Sequence, residues 1–301
     1  MTQYPVRFGI QTPQQNGSWQ DMVALWREID TLGFDSAWVF DHFLPIFSDP
    51  TGPCLEGWTS LSALAMATQQ VRLGVMVTGN TYRHPAVLAK MATTLDIISQ
   101  GRVILGLGAG WFQLEHKTFG IPFPSMRERL QRLDEALTVI ARLWTEQRVT
   151  FDGRYYQLTD ALLNPRPIQQ PHPPILVGAT GERVALEIVA RHANIWNGFG
   201  SPEVFERKIA VLSEHCRKAG RDPETIEKSA LLQMTLMDDP ETARQALKDN
   251  PGMLAGNLAE IRQQIERYIA VGVTYIILSL SAPYDYAALR CFAAEVIPAF
   301  R

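Results

Sequence analysis

Residues 71–111 read VRLGVMVTGNTYRHPAVLAKMATTLDIISQGRVILGLGAGW. Val71–Val77 is a short, β-branched apolar run, the pattern of a buried strand. Pro85–Ile98 sets Val87, Leu88, Met91, Leu95 and Ile98 at helical spacing, with Pro85 in the first turn where its missing N–H costs nothing. Ser99-Gln100-Gly101 stops that helix, and Val103–Leu107 is a second apolar strand. Strand, helix and strand in succession predict a βαβ unit with parallel strands and a right-handed crossover. Thr78-Gly79-Asn80 follows the first strand and Gly108-Ala109-Gly110 the second. Parallel α/β proteins bind ligands at the carboxyl ends of their strands, so a site is expected at these small and polar residues.

The alternation extends in both directions. Upstream, strands are predicted at Val6–Gln11 and Ser36–Phe40, with helices at Trp19–Leu32, capped by Ser18 with Asp21, and at Trp58–Thr68. Downstream, Trp111–Pro124 reads as a loop, and Ser125-x-x-Glu128 is a capping box opening a helix whose apolar face carries Leu130, Leu133, Leu137, Ile140 and Trp144. Residues 149–174 break the rhythm: Asp152-Gly153 sits as in a hairpin, prolines end the segment, and it reads as an insertion able to cover a barrel mouth. Strands then resume at Ile175–Val177, Ile195–Asn197, Ser229–Met237 and Thr274–Leu280. The helices between and after them are read at Glu182–His192, from Ser201-Pro202 to Gly220, a short one from Asp239-Pro240, Leu258–Val271 and Tyr284–Ile297. Eight strands alternating with helices predict one (β/α)8 TIM barrel over residues 1–301 with an excursion at about 149–174. A doubly wound sheet fits less well, because no G-x-G-x-x-G follows the first strand.

A net charge of −3 and a pI near 6.1 argue against nucleic acid or an anionic membrane as partner. No apolar run has the length of a membrane span, and Met1–Gln11 lacks the regions of a signal peptide. Cys54, Cys216 and Cys291 form no CxxC pair and read as reduced thiols in a cytoplasmic setting. A small organic molecule is the expected partner, and a homodimer is left open.

Four places could carry chemistry. Gly178-Ala179-Thr180-Gly181 leads into a helix, so its amides could hold a phosphate; equally, it could be a tight turn needing positive φ at glycine. Asp41-His42 ends a strand, where His42 could move a proton near neutral pH or simply be satisfied by backbone. Gly108-Ala109-Gly110-Trp111 lets a flat ligand approach the backbone against an indole wall, or is a plain turn with a packing Trp. Glu115-His116 reads as a solvated loop pair ahead of an acid/base pair. The six histidines show no metal-ligand spacing, and no G-x-S-x-G elbow is present.

Together these residues resemble the luciferase-like monooxygenase superfamily, in its branch of oxidoreductases that use the deazaflavin coenzyme F420. The resemblance rests on Ser36-Ala37-Trp38-Val39-Phe40-Asp41-His42-Phe43, Arg83-His84-Pro85, Gly101-Arg102-Val103 through Gly110-Trp111-Phe112, and Phe151-Asp152-Gly153 with Tyr155-Tyr156. It implies a (β/α)8 barrel with its flavin or deazaflavin at the carboxyl face. It further implies a non-prolyl cis peptide at Val75–Met76 within the bulge 75–78, backing the ring. Asp41 and Thr78 would touch the ring, Ala109-Gly110 would approach the cofactor, and Gly178, Ala179, Thr180 and Gly181 would hold its phosphate. His42 matches the histidine beside the reactive face in the deazaflavin-dependent sugar-phosphate dehydrogenases. Those enzymes carry glutamate where this chain has Trp111, and an asparagine near Leu114, so the substrate implied is another, in a flatter and less polar pocket. Three readings follow: an F420 oxidoreductase with catalytic His42, an FMN-dependent monooxygenase using reduced flavin and oxygen, and a non-catalytic flavin-binding carrier or sensor.

Overall fold

A computed structural model describes residues 4–301; Met1, Thr2 and Gln3, the start of the Met1–Gln11 stretch, lie outside the described residues. The elements run β1 (Arg7–Gln11), α1 (Trp19–Thr31), β2 (Ser36–Val39), α2 (Gly57–Ala67), β3 (Arg72–Val75), β4 (Thr78–Gly79), α3 (Pro85–Ile98), β5 (Leu105–Gly108), α4 (Gln113–Phe119) and α5 (Met126–Thr145). They continue with β6 (Val149–Asp152), β7 (Gln157–Ala161), β8 (Ile175–Gly178), α6 (Ala185–His192), β9 (Ile195–Gly198), α7 (Pro202–Lys218) and β10 (Glu227–Leu236). Then come α8 (Pro240–Asp249), β11 (Met253–Gly256), α9 (Leu258–Ala270), β12 (Tyr275–Ser279) and α10 (Tyr286–Cys291).

The main sheet has ten strands in the order β3-β2-β1-β12-β10-β9-β8-β5-β4, with β11 paired to β10. Every pairing in it is parallel, and an isolated bridge from Leu73 of β3 to Val103, two residues before β5, closes the ring. Counting β3 with β4 as one interrupted strand and setting β11 aside leaves the eight strands of a (β/α)8 barrel. Trp38, Met76, Ile104, Leu176, Ile195, Tyr275 and Ile277 fill its interior as one buried cluster, and a larger cluster joins the outer faces of the strands to the helices. Among the described residues, no helix is long and apolar enough to cross a membrane.

Several boundaries differ from the expectations. The third strand does not run unbroken from Val71 to Val77. It stops at Val75, turns through Met76 and Val77, and resumes as β4 beside β5. The non-prolyl cis bond lies at Met76–Val77, one residue later than expected. The physical reason is the ladder: the Met76 amide still donates to Val39 O at 2.8 Å, so the Val75–Met76 peptide belongs to the strand and the turn begins beyond it. Strand β11 was not foreseen, because four residues of MLAG show no period; it forms because β10 is ten residues long and leaves Gln233–Leu236 to pair. Helix α6 starts at Ala185, three residues after the expected Glu182. At Ser125 only half of the box closes: its hydroxyl accepts from the Glu128 amide, while the Glu128 carboxylate pairs with Arg132 instead.

The excursion is an antiparallel β6–β7 hairpin laid along α5. Glu135 on α5 accepts from the amides of Arg154, Tyr155 and Tyr156, which fixes the hairpin tip. Tyr156 reaches the carboxyl face, where its hydroxyl accepts from Asn80 Nδ2 at 3.2 Å.

Candidate active site

The loop after β2 has no regular structure of its own and is laced into place by side chains. The Gln14 amide pairs with both backbone groups of Phe40, accepting from its N–H at 3.1 Å and donating to its carbonyl at 2.7 Å. Gln15 does the same for Ile46, at 2.8 and 3.3 Å. Between these clamps the Glu115 carboxylate accepts from the amides of Phe43 at 2.5 Å and Leu44 at 2.9 Å. Asp41 and His42 are thus held on a rigid strand end although they stand in a loop.

Asp41 is buried, and its carboxylate receives both guanidinium arms of Arg83 and the Gly79 amide. Burial pushes this carboxyl upward against the pull of Arg83 and the Gly79 amide. His42 keeps a slightly exposed edge, with Phe40, Trp111 and Phe112 packed around its ring. Its Nδ1 lies 2.9 Å from Glu115 Oε2, which also accepts from the Tyr82 hydroxyl at 2.5 Å.

Glu115 and His116 are not a solvated loop pair. Residues 113–119 form the short helix α4, and both side chains are buried. His116 is used twice, by Phe112 O through Nδ1 and by Thr81 Oγ1 through Nε2. Burial opposes the Glu115 charge, but the hydrogen bonds with His42 and Tyr82 and the Leu44 amide prevail and hold its carboxyl below the usual value. Tyr82 moves the other way, because burial and then the bond to Glu115 keep its proton on. Burial, with the nearby Glu115 charge, pushes the Cys54 thiol up to about 12, so it stays protonated.

Three glycines clear the space for the bulge at 75–77. A Cβ at Gly106 would meet Val75 O at 2.1 Å, one at Gly108 would meet a Val77 methyl at 2.7 Å, and one at Gly178 would meet Val77 at 3.0 Å. Gln11 holds the bulge from inside, donating to Met76 O at 2.9 Å. Val75 and Met76 are buried and Val77 is half-buried, so Val77 is the bulge residue with surface to offer. Thr78 is buried too, its hydroxyl accepting from Trp58 Nε1 at 3.2 Å. Ala109 packs against the core, and Gly110 has φ +79 and lies so near Thr81 that a Cβ would clash at 2.8 Å.

The 178–181 turn adjoins this bulge through Gly178. Neither of its glycines has positive φ, so close approach to Val77, not backbone handedness, explains Gly178. Ala179 is tied, its amide donating to Asn197 O and its carbonyl accepting from Trp196 Nε1. Thr180 and Gly181 are exposed, and α6 has no side-chain cap. Among the described residues, the amides of 180–184 find no acceptor within the protein, which leaves a row of donors in the loop that follows Gly178. Across the mouth, Trp111 is half exposed, and Phe47, 90% exposed, stacks on it at 5.8 Å and 19°.

A barrel with a polar histidine at one strand end, a backbone bulge beside it and a donor-rich turn next to the bulge has the layout of a ring-and-phosphate cofactor enzyme. The chain belongs to the luciferase-like monooxygenase family, whose pattern matches residues 3–287. It is 33% identical over 243 residues to an F420-dependent glucose-6-phosphate dehydrogenase of Microbacterium testaceum (strain StLB037), covering 79% of this chain and 71% of that one. The solved structure of an F420-dependent secondary alcohol dehydrogenase in complex with an F420-acetone adduct superposes with a TM-score of 0.87 at 25% identity, over 99% of this chain and 100% of the other. Monooxygenase RslO1 from Streptomyces bottropensis superposes with a TM-score of 0.82 at 26% identity, over 98% and 100%.

Proposed function

We propose that this chain is an oxidoreductase that moves a hydride between coenzyme F420 and a small organic substrate, with His42 as the proton partner. The observation that carries the reading is His42 itself, clamped just past the end of β2 by Glu115 and left with a slightly exposed edge against Trp111. The residues present fit such a cofactor: the bulge offers Val77 as a backing for a flat ring, and the unsatisfied amides of 180–184 suit a phosphate. Bound there, coenzyme F420 supplies a hydride acceptor or donor at its ring. Asp41, Thr78, Val75 and Met76 serve as the floor, since their polar groups or surfaces are already engaged within the protein. Ala109 and Gly110 form the adjacent wall, and Gly178 with Ala179 sets the position of Thr180 and Gly181. Trp111 lines the substrate side of the mouth.

The sequence similarity to a dehydrogenase named for F420 supports the cofactor choice. The FMN-dependent monooxygenase reading is the alternative, favoured by the likeness to RslO1. Titration by fluorescence quenching separates them: tighter binding of F420 than of FMN is expected, and the reverse order would transfer the chain to the monooxygenase reading. The proposal includes a cytoplasmic setting for the three unpaired thiols and a homodimer as the assembly, the latter supported by Met66, Val87 and Ile98 exposed on α2 and α3. Light scattering reports the assembly directly.

A further inference from the structure

We propose that Glu115 is the positioning residue for His42: it fixes the imidazole with its proton on Nδ1, so that Nε2 is the nitrogen that trades a proton with the substrate. This rests on the oxidoreductase reading above for its chemistry, but not for its geometry.

Glu115 is fully buried, and four groups lie within hydrogen-bonding distance of its carboxylate. Its Oε1 takes the amides of Phe43 and Leu44, and its Oε2 takes the Tyr82 hydroxyl and His42 Nδ1. An ionised carboxylate has no proton to give, so the nitrogen facing it must be the donor. In a neutral imidazole that leaves Nε2 with a lone pair. Among the described residues, nothing hydrogen-bonds to His42 Nε2, whereas both nitrogens of His116, the residue after Glu115, are occupied. The two histidines therefore separate on one criterion. His116 is consumed by the fold, and His42 keeps one nitrogen free.

The chemistry follows from that free nitrogen. Were F420 bound, it would take up the hydride that the carbon of a substrate alcohol gives up as the alcohol becomes a carbonyl. The O–H bond breaks, its electrons close the C=O double bond, and the proton passes to Nε2. The resulting imidazolium is held against the Glu115 carboxylate, and in carbonyl reduction each transfer runs backwards. Tyr82 contributes by donating to the same oxygen while keeping its own proton, so it orients the carboxylate without competing as a base.

The substitution Glu115→Gln tests this, because the two backbone amides of Phe43 and Leu44 cannot change role. They demand the oxygen of the new side chain and turn its NH2 group toward His42, which must then accept through Nδ1 and carry its proton on Nε2. Nitrogen-15 NMR of the imidazole in labelled, cofactor-free protein reads that exchange directly. The expected result is the Nδ1–H form in the natural protein and the Nε2–H form in Glu115→Gln. In the cofactor-loaded enzyme, turnover should fall about 100-fold or more, towards that of His42→Ala, with KM for substrate little changed. Tyr82→Phe, which keeps the carboxylate, should retain the Nδ1–H form and most of the turnover; it is the control should Glu115→Gln fold poorly. An Nε2–H form in the natural protein, or in Tyr82→Phe, overturns the proposal, as does an unchanged Nδ1–H form in folded Glu115→Gln. Failure to bind F420 would leave these spectra intact and count against the cofactor assignment alone.

Discussion

Arg83 grips Asp41 through both arms of its guanidinium, with Nη1 2.7 Å from Oδ2 and Nη2 3.0 Å from Oδ1. Nη2 also reaches Glu56 Oε1 at 2.6 Å, and Glu56 caps α2, so one cation ties the end of β2 to the start of the next helix. The sequence motif Arg83-His84-Pro85 thereby has a physical purpose at its first residue. Breaking a buried pair by removing one partner typically costs about 3–5 kcal/mol, because the other charge stays buried and unpaired. Arg83→Met should therefore lower stability by about that amount in urea unfolding, and adding Asp41→Asn should recover much of it. A loss under about 1 kcal/mol in the single variant would mean that burial has already driven Asp41 to its protonated form.

The donor row after β8 yields a test that separates folding from binding. A Cβ at Gly178 would press on Val77 at 3.0 Å, whereas one at Gly181 would meet only Ala185, at an ordinary 3.7 Å. Gly181→Asp should thus leave the thermal melt nearly unchanged while setting a carboxylate among the amides offered to a phosphate. Loss of F420 affinity by tenfold or more, about 1.4 kcal/mol, is expected in a binding isotherm. Gly178→Asp should lower both affinity and melting temperature. Unchanged affinity in Gly181→Asp would place the phosphate elsewhere.

Much of this architecture was legible because parallel strands and amphipathic helices write their periods into local sequence. The stretch 71–111 shows strand, helix and strand with their small-residue ends, and the family motifs fall on the same strand ends. What escaped depends on contacts across long separations. Gln14 and Gln15 mimic a strand for Phe40 and Ile46, and no local pattern marks a glutamine that does so. Glu115 looked solvated because a charged residue in a loop usually is. Leu114 and Phe119 of its short helix stay exposed while Glu115 and His116 are buried, an inversion of the usual apolar face, so only Gly120 at the helix end was a local sign. The cis bond was misplaced by one residue because only the Met76–Val39 hydrogen bond decides where the ladder ends.

Acid should expose Glu115. Its folded carboxyl lies below its value of 4.5 in a free chain, so its contribution to stability is complete above about pH 4.5 and fades as pH falls through the lower folded value. The gap in unfolding free energy between the natural protein and Glu115→Gln should therefore be constant near neutral pH and narrow below about pH 4.5. Urea unfolding at steps of pH measures it. A gap that widens in acid would reverse the assigned direction of the shift.

The aromatic pair at the mouth offers the test of substrate class. Phe47 is 90% exposed and holds φ +59, a left-handed conformation that costs a bulky residue about 1–2 kcal/mol, yet its ring lies nearly parallel to Trp111. Trp111 in turn meets the His42 ring edge to face at 5.5 Å, so a substrate within reach of His42 must pass or rest against the indole. An aromatic contact of this kind is worth about 0.5–1.5 kcal/mol beyond area burial, or roughly a twofold to tenfold preference for a planar substrate. Trp111→Ala should reduce by that factor the preference in kcat/KM for a substrate bearing an aromatic ring over its aliphatic counterpart, leaving cofactor affinity intact. Phe47→Gly should relax the same preference with little change in melting temperature, since relief of the left-handed strain offsets the lost stacking and the added freedom of the unfolded chain. A preference unmoved in both variants would mean that the aromatic pair does not contact the substrate.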